Sequence, residues 1–423
     1  MPGTPDPSIP TPVPIVQPET ATAVAEALRD ASSRRQSVVI RGAGTKMDWG
    51  RPAGRIDAIL DMSRMNRVVA HQHGDLTATF EAGAPLSAVN AALAQHAQWL
   101  PFDPAFADRA TIGGLLATND SGPLRHCYGT PRDLVIGVQL ATVDGTLAKA
   151  GGQVVKNVAG YDLGRLVTGS FGSLAAIVTA TFKLSPLPAA SKTLIVAVDT
   201  DEGLGQLVRK MMASQLEPIA FEIHVRADER STQRPQSTQS DAGTISNSAN
   251  SASSAFNRRV VLRFASLPVV VDAQIAQARA LLGSGAPSVE VIEGDVEGAW
   301  WREHNARLWS LPGAIVRASW LPASIVAKLA ELHALGTPAE LVGRAAVGAG
   351  LLRVDGDAES QSHAITRLRR SSTFGNVVIL RGSGELKTRV DVWGSSGDRE
   401  PLFAAIKRAL DPRNTLNAGR GPL

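Results

Sequence analysis

Between Asp103 and Pro186 the chain interleaves hydrophobic strand signal with closely spaced glycines, and no other stretch restricts its fold as tightly. It contains TIGGLLATNDSG at 111–122, YGTPRDLVIG at 128–137 and KNVAGYDLGRLVTGSFGSLAAIVTATFKLSP at 156–186. A linker would lack the Val, Ile and Leu. A plain core would lack the glycines and the Thr, Ser and Asn beside them. Glycine lets a ligand approach backbone N–H groups because no Cβ stands in the way. Neighbouring hydroxyls and amides add donors for phosphate and carbonyl oxygens. The stretch reads as the bed of a large polyoxygenated ligand, best matched by a dinucleotide.

Upstream, Val38-Val39-Ile40 reads as a buried strand running into RGAGTKMDWG at 41–50. Such a strand-to-turn junction presents successive N–H groups, a nest suited to phosphate. It is not a Walker loop, which needs Gly-Lys-Ser/Thr after a four-residue spacer. Nor is it a Rossmann fingerprint: Gly42 and Gly44 supply only half of G-x-G-x-x-G, position 47 is Met, and Trp49, Gly50 and Pro52 oppose a helix. Taken alone, the segment is either a phosphate loop of another kind or a tight turn.

A chain of 423 residues has room for two domains. Its formal charge of +4, from 43 basic and 39 acidic residues, includes no Lys/Arg run that would mark a nucleic-acid footprint. The single cysteine, Cys127, can form no internal disulfide and cannot alone hold an iron–sulfur cluster or structural zinc. It sits in RHCYG beside the glycine-rich segment, so a covalent cofactor link competes with the simpler reading of a nearby thiol. The first 18 residues carry seven prolines, which favours extended coil, with neither the basic nor the apolar region of a secretory signal. No run of about 18 apolar residues suggests a membrane span. These features imply a cytoplasmic chain, at most peripheral at the inner face of the cell membrane.

The predicted order after the tail is helix 19–35, strand 38–41, strands near 57–60 and 67–70, the alternating strand LTATFEA and helix 86–98. Two further strand regions lie at 134–148 and 173–184, with a short helix from Gly160 to Leu166 between them. TATFKL at 179–184 alternates as a half-exposed antiparallel strand does. From Thr193 onward strands and helices suggest an antiparallel sheet with helices on one face. Residues 231–255, rich in Ser, Thr, Gln and Asn, are expected to be a disordered insertion.

The strand-plus-RGAGT loop, followed by TIGG, N-x-SG, RDLVIG and GYDL…GSFGSLA, resembles the FAD-binding domain of the vanillyl-alcohol oxidase / p-cresol methylhydroxylase superfamily. LDPRNTLNAGRG at 410–421 resembles that family's closing segment, with Ala418 where Pro is usual. GGQVVKNVAGYDLGRL at 151–166 is similar to the FAD-binding subunit of glycolate oxidase. The resemblance implies an α+β fold: a two-subdomain FAD-binding domain followed by a ferredoxin-like α+β cap. It implies a tail over 1–14, an FAD-binding domain over 15–188, a cap over 189–408 and a return segment over 409–423.

It also implies FAD as cofactor. No His precedes His71, where some relatives attach flavin, so the bond would be non-covalent. The expected FAD contacts are Arg41, Gly42, Ala43, Gly44, Thr45 and Lys46 at the pyrophosphate. Thr111, Ile112, Gly113 and Gly114 would pass close by, Thr118, Asn119 and Ser121 would add polar contacts, Ile177 would grip through backbone, and Asn417 would close over the site. His71 and His73 read as a solvated turn rather than a metal pair, and no metal is expected. His224 and His304 are cap histidines without an assigned role, and Arg317 and Arg353 are weak candidates for a substrate carboxylate. No catalytic residue is identifiable. The implied reaction oxidises glycolate or a related 2-hydroxy acid. Electrons would pass to a larger flavin subunit and an iron–sulfur subunit, with membrane contact only through these partners. A stand-alone oxidoreductase for another alcohol, lactate or aldonolactone is the alternative, as is a non-catalytic flavin-binding assembly subunit.

Overall fold

The computed structural model describes residues 13–152, 161–227, 258–283, 288–371 and 373–422. Nearly all of the Pro-rich tail, the 231–255 insertion and the KNVAG part of the 151–166 string lie outside these residues. The chain divides into two units: residues up to Leu187 together with Asp391–Leu423, and Pro188–Val390. The return to the first unit therefore begins at 391, earlier than the 409 expected.

The first unit opens with β1 (Ile15–Val16), α1 (Ala21–Ser33), β2 (Val38–Arg41) and β3 (Ala58–Asp61). Thr20 caps α1 by accepting from the Ala23 N–H at 3.1 Å, and the helix buries Val24, Ala25, Leu28 and Ala31. The three strands form a parallel sheet in the order β1-β3-β2. Next come β4 (Val68–Gln72), β5 (Thr77–Glu81), α2 (Leu86–Ala94), β6 (Gln98–Trp99), α3 (Ile112–Thr118), α4 (Arg125–Tyr128), α5 (Pro131–Leu134), β7 (Val135–Ala141), β8 (Leu147–Gly151), α6 (Leu163–Val167), β9 (Ala176–Lys183) and β10 (Ser185–Pro186). They build an antiparallel sheet in the order β4-β5-β9-β7-β8 and a small β10-β6 pair.

The alternation of TATFKL gives only a partly solvated face: on β9, the central strand, Lys183 is exposed and Thr179 half-buried, but Thr181 is buried with the apolar residues. Thr181 Oγ1 lies 2.8 Å from Thr79 Oγ1 of β5, so two buried hydroxyls satisfy each other. Beside them the buried Glu81 takes two contacts from the Arg67 guanidinium, at 3.1 and 2.7 Å.

The second unit carries β11 (Ala190–Ala197), α7 (Asp201–Met212), β12 (Ala220–Ala227), β13 (Arg258–Ser266), α8 (Pro268–Leu282), β14 (Ser288–Glu293), α9 (Gly294–Ser310), β15 (Ala314–Trp320), α10 (Ile325–His333), β16 (Ala339–Arg344), β17 (Ala349–Val354), α11 (Ala358–Arg370) and β18 (Phe374–Arg381). Its eight strands form one antiparallel sheet, β14-β11-β13-β12-β16-β17-β15-β18. Leu194, Val196, Val260 and Leu262 share one face and are fully buried, where α7 and α8 pack. The expectation of helices on one face fails at α9. Its Glu297 and Trp301 meet Ser191, Thr193 and Arg263, which alternate onto the opposite face.

Candidate functional site

A cleft of about 790 Å³, part of it open to solvent, lies within the first unit. Its floor is the end of β2 and the turn that follows. Arg41, Gly42, Ala43, Gly44, Thr45 and Lys46 all line it. Among the described residues the N–H groups of Ala43, Gly44, Thr45 and Lys46 donate to no protein acceptor, so they remain available to a ligand.

Gly42 is dictated by a close approach: a Cβ there would stand 2.2 Å from Thr111 Oγ1. Thr111 in turn caps α3, accepting from the Gly114 N–H at 3.4 Å. Thr118 closes the helix by donating to the Gly114 carbonyl at 2.8 Å. Thr111, Gly113, Gly114, Ala117 and Thr118 thus present one side of α3 to the cleft.

The third wall is Phe171-Gly172 with Ala175 and Ile177. Asn417 joins this wall to the floor. The 415–417 segment runs alongside β2: the Val38 N–H donates to the Thr415 carbonyl at 2.7 Å, and the Asn417 N–H donates to the Val38 carbonyl at 2.9 Å. Asn417 Oδ1 accepts from the Ile40 N–H at 3.3 Å, and its Nδ2 donates to the Phe171 carbonyl at 2.6 Å. Gly172 has φ +68, and a Cβ on it would meet Asn417 Nδ2 at 2.7 Å. Arg420, also on the wall, donates to the carbonyls of Met47 and Trp49.

The charges are arranged in pairs. Arg41 Nη2 sits 2.6 Å from Asp61 Oδ2. Burial pushes the Asp61 carboxyl up, but the hydrogen bonds from Arg41 and Ser63 and the Arg41 charge outweigh it, holding it below the usual carboxylate range. Lys46 Nζ lies 3.3 Å from Asp120 Oδ2, with both side chains largely buried.

Twelve of the fifteen expected contacts line this cleft, and three do not. Ile112 points into the hydrophobic core. Asn119 takes φ +49 at the end of α3, and its Oδ1 accepts from the Arg132 N–H at 3.2 Å. Ser121 is half-buried in the following turn, off the cleft wall. Sequence reading missed Met47, Met62, Ala82, Phe171, Gly172 and Arg420, all of which line it. Only Phe171 and Gly172 carried a signal, the turn-forming GSFG at 169–172. Met62 and Ala82 look like ordinary core residues until the sheets are assembled.

Elsewhere the other candidates find partners. Cys127 is exposed on α4 and does not line the cleft. His71 and His73 meet His96, and His71 Nε2 is 2.8 Å from Gln98 Oε1, so this turn is more ordered than expected. Among the described residues no group of three or more His, Cys, Asp or Glu is arranged to hold a metal ion. In the second unit the buried Glu340 binds His224 at 2.7 Å, Arg307 at 2.6 Å and Arg353 at 3.1 Å. Arg353 is therefore committed to Glu340 and Asp355 rather than open to a substrate. Burial drives the His224 pKa down to about 4, against the raising effect of its bond to Glu340. Burial alone would raise the Glu340 carboxyl, but hydrogen bonds from His224 and Arg307, with their charges, hold it well below the usual range. His304 stacks on Trp300 with ring centroids 4.7 Å apart.

Residues 12–151 match the family model described as an FAD binding domain, and FAD is the cofactor this match indicates. The chain is 34% identical to the glycolate oxidase subunit GlcE of Escherichia coli (strain K12), over 47% of this chain and 55% of that protein. It is 31% identical to the glycolate oxidase subunit GlcD of Bacillus subtilis (strain 168), over 49% and 44%. A D-2-hydroxyglutarate dehydrogenase of Xanthomonas citri pv. viticola matches at 29% over 97% of this chain and 89% of that protein. The chain spans about half the length of the two glycolate oxidase subunits. Among solved structures, alkyldihydroxyacetonephosphate synthase aligns with a TM-score of 0.65 at 16% identity, covering 96% of this chain and 76% of that one, a likeness of fold. Among the described residues no helix is long and apolar enough to cross a membrane.

Proposed function

We propose that this chain is the FAD-binding subunit of a glycolate oxidase complex, acting on glycolate or a related 2-hydroxy acid. The observation that carries the reading is the cleft whose floor is the RGAGTK turn, in a chain similar to two named glycolate oxidase subunits. Bound FAD supplies a two-electron acceptor for the C–H being oxidised and a one- or two-electron donor afterwards. The chain's own residues hold it. The free amides of residues 43–46 suit the diphosphate, the α3 wall and Ile177 would flank it, and Asn417 fastens the two sides together. No His or Cys lines the cleft among the described residues, which supports non-covalent attachment. One cysteine cannot ligate an iron–sulfur cluster, so electrons would leave through partners: a larger flavin subunit and an iron–sulfur subunit. Location in the cytoplasm, at most peripheral to the membrane through those partners, goes with this reading.

A second reading has its own support, the match along 97% of this chain to a D-2-hydroxyglutarate dehydrogenase. In that case the lone chain is a complete dehydrogenase. One experiment separates the two: load the purified chain with FAD and add glycolate, D-lactate or D-2-hydroxyglutarate with an artificial electron acceptor. The subunit reading expects little turnover alone and full turnover on adding the partner subunits. Rapid turnover of any of the three acids by the lone chain would reject it.

A further inference from the structure

Of the cations on the cleft wall, two are already engaged. Arg41 holds Asp61 at 2.6 Å, and Arg420 holds the carbonyls of Met47 and Trp49. Lys46 differs. Its side chain is only 7% exposed and that of Asp120 13%, with Nζ and Oδ2 3.3 Å apart. That distance makes an ion pair, yet neither atom makes a hydrogen bond among the described residues, because the directions are poor. The Trp49 ring lies 5.5 Å from the ammonium and covers another of its sides. A buried ammonium has three donors to satisfy, and leaving them unmet is costly. Asp120 supplies charge but not directed acceptors. A diphosphate offers both, with several oxygens of the same sign.

We propose that Lys46 and Asp120 form an exchangeable ion pair, in which the diphosphate of the cofactor replaces Asp120 as the partner of the Lys46 ammonium. The inference rests on the reading that FAD lies along the 41–46 turn. Asp120 has two effects. It keeps the Lys46 charge compensated while no diphosphate is present, and it competes with the diphosphate for that charge. The site is thereby stable without cofactor at the expense of part of its affinity. Asp120 can do this because it directly follows Asn119, whose left-handed conformation at the end of α3 fixes where the next residue points.

The test is FAD titration by flavin fluorescence, together with thermal melts of the cofactor-free full chain. Lys46→Met should weaken FAD binding about tenfold or more, since a hydrogen bond to a charged group contributes roughly 1.5–3 kcal/mol. Asp120→Asn should do two opposite things: lower the melting temperature of the cofactor-free protein and tighten FAD binding about fivefold, by removal of a nearby like charge. Should Asp120→Asn fail to fold, the wild-type chain with 13C-labelled lysine serves instead. The Lys46 Cε resonance, identified by its loss in Lys46→Arg, should shift during the titration with the affinity measured by fluorescence. Weaker or unchanged FAD binding in Asp120→Asn overturns the exchange, as does a Lys46 resonance that does not respond. Failure of the wild-type chain to bind FAD at all would instead sink the parent reading of the cleft.

Discussion

Asn417→Ala tests the architecture of the cleft most directly. Asn417 is 6% exposed, and its amide spans two walls: 3.3 Å from the Ile40 N–H and 2.6 Å to the Phe171 carbonyl. Truncation leaves both backbone groups without this partner. The short bond should cost about 1–2 kcal/mol and the long one about 0.5 kcal/mol, since an orphaned buried group loses more than an average hydrogen bond gains. The residue also has φ +44. Asn tolerates that left-handed conformation, whereas Ala pays about 1 kcal/mol more. The sum is about 3 kcal/mol, or a fall of about 6–12 °C in melting temperature for a unit of 150–250 residues. Urea unfolding of the cofactor-free chain measures it, and the transition that added FAD displaces identifies the first unit. Asn417→Gly separates the contributions: without the left-handed penalty it should lose about 2 kcal/mol. If Ala costs under 1 kcal/mol, or if Gly matches the wild type, the amide is not the clasp described here.

Three other outcomes follow from the same geometry. Gly114→Val should bring FAD content per chain near zero while the chain still folds. A Cβ at Gly114 meets only Thr111 Oγ1, at 3.2 Å, so the added methyls project towards the cleft rather than into the core; normal FAD content would refute the wall assignment. Acid precipitation should release all flavin into the supernatant, and flavin left in the pellet would point to a covalent link. The second unit should lose stability as pH falls from about 6.5 to about 4. His224 has a pKa of about 4 when folded, against the ordinary histidine value of 6.5, so the unfolded chain binds the extra proton in that window. The contribution is complete above 6.5, is on the order of 3 kcal/mol, and should vanish from the pH profile in His224→Gln; an unchanged profile would show that His224 is not the group responsible.

The strand-to-turn junction at Val38–Lys46 was legible because apolar residues end abruptly at glycines whose spacing has a backbone reason. The α3 wall was legible for the same cause. Local pattern could not show which side of TIGGLLAT faces a ligand, so Ile112 was placed on the cleft while it packs in the core. Polar alternation in β9 suggested solvent, but pairing with Thr79 hides Thr181. A period of two reports opposite faces, not which face is wet. Asn417 was read from its string alone. Its actual work depends on Ile40 and Phe171, separated from it by 377 and 246 positions. Contacts of that range leave no local trace. The same holds for α9, whose placement on the polar face of the sheet depends on tertiary partners such as Thr193 and Arg263.

The pairing of residues 415–417 with β2 also bears on how the protein is made. The whole second unit is synthesised between the two halves of the cleft. A growing chain that has passed Lys46 and Ile177 still lacks Asn417 and Arg420, so on the proposed reading cofactor capture awaits synthesis of residues 415–420. Polypeptides cut short before 417 should be unable to retain flavin and should fall to proteolysis, which makes the yellow colour of a preparation a gauge of intact chains. A chain ending at Asn414 that kept its flavin would contradict this.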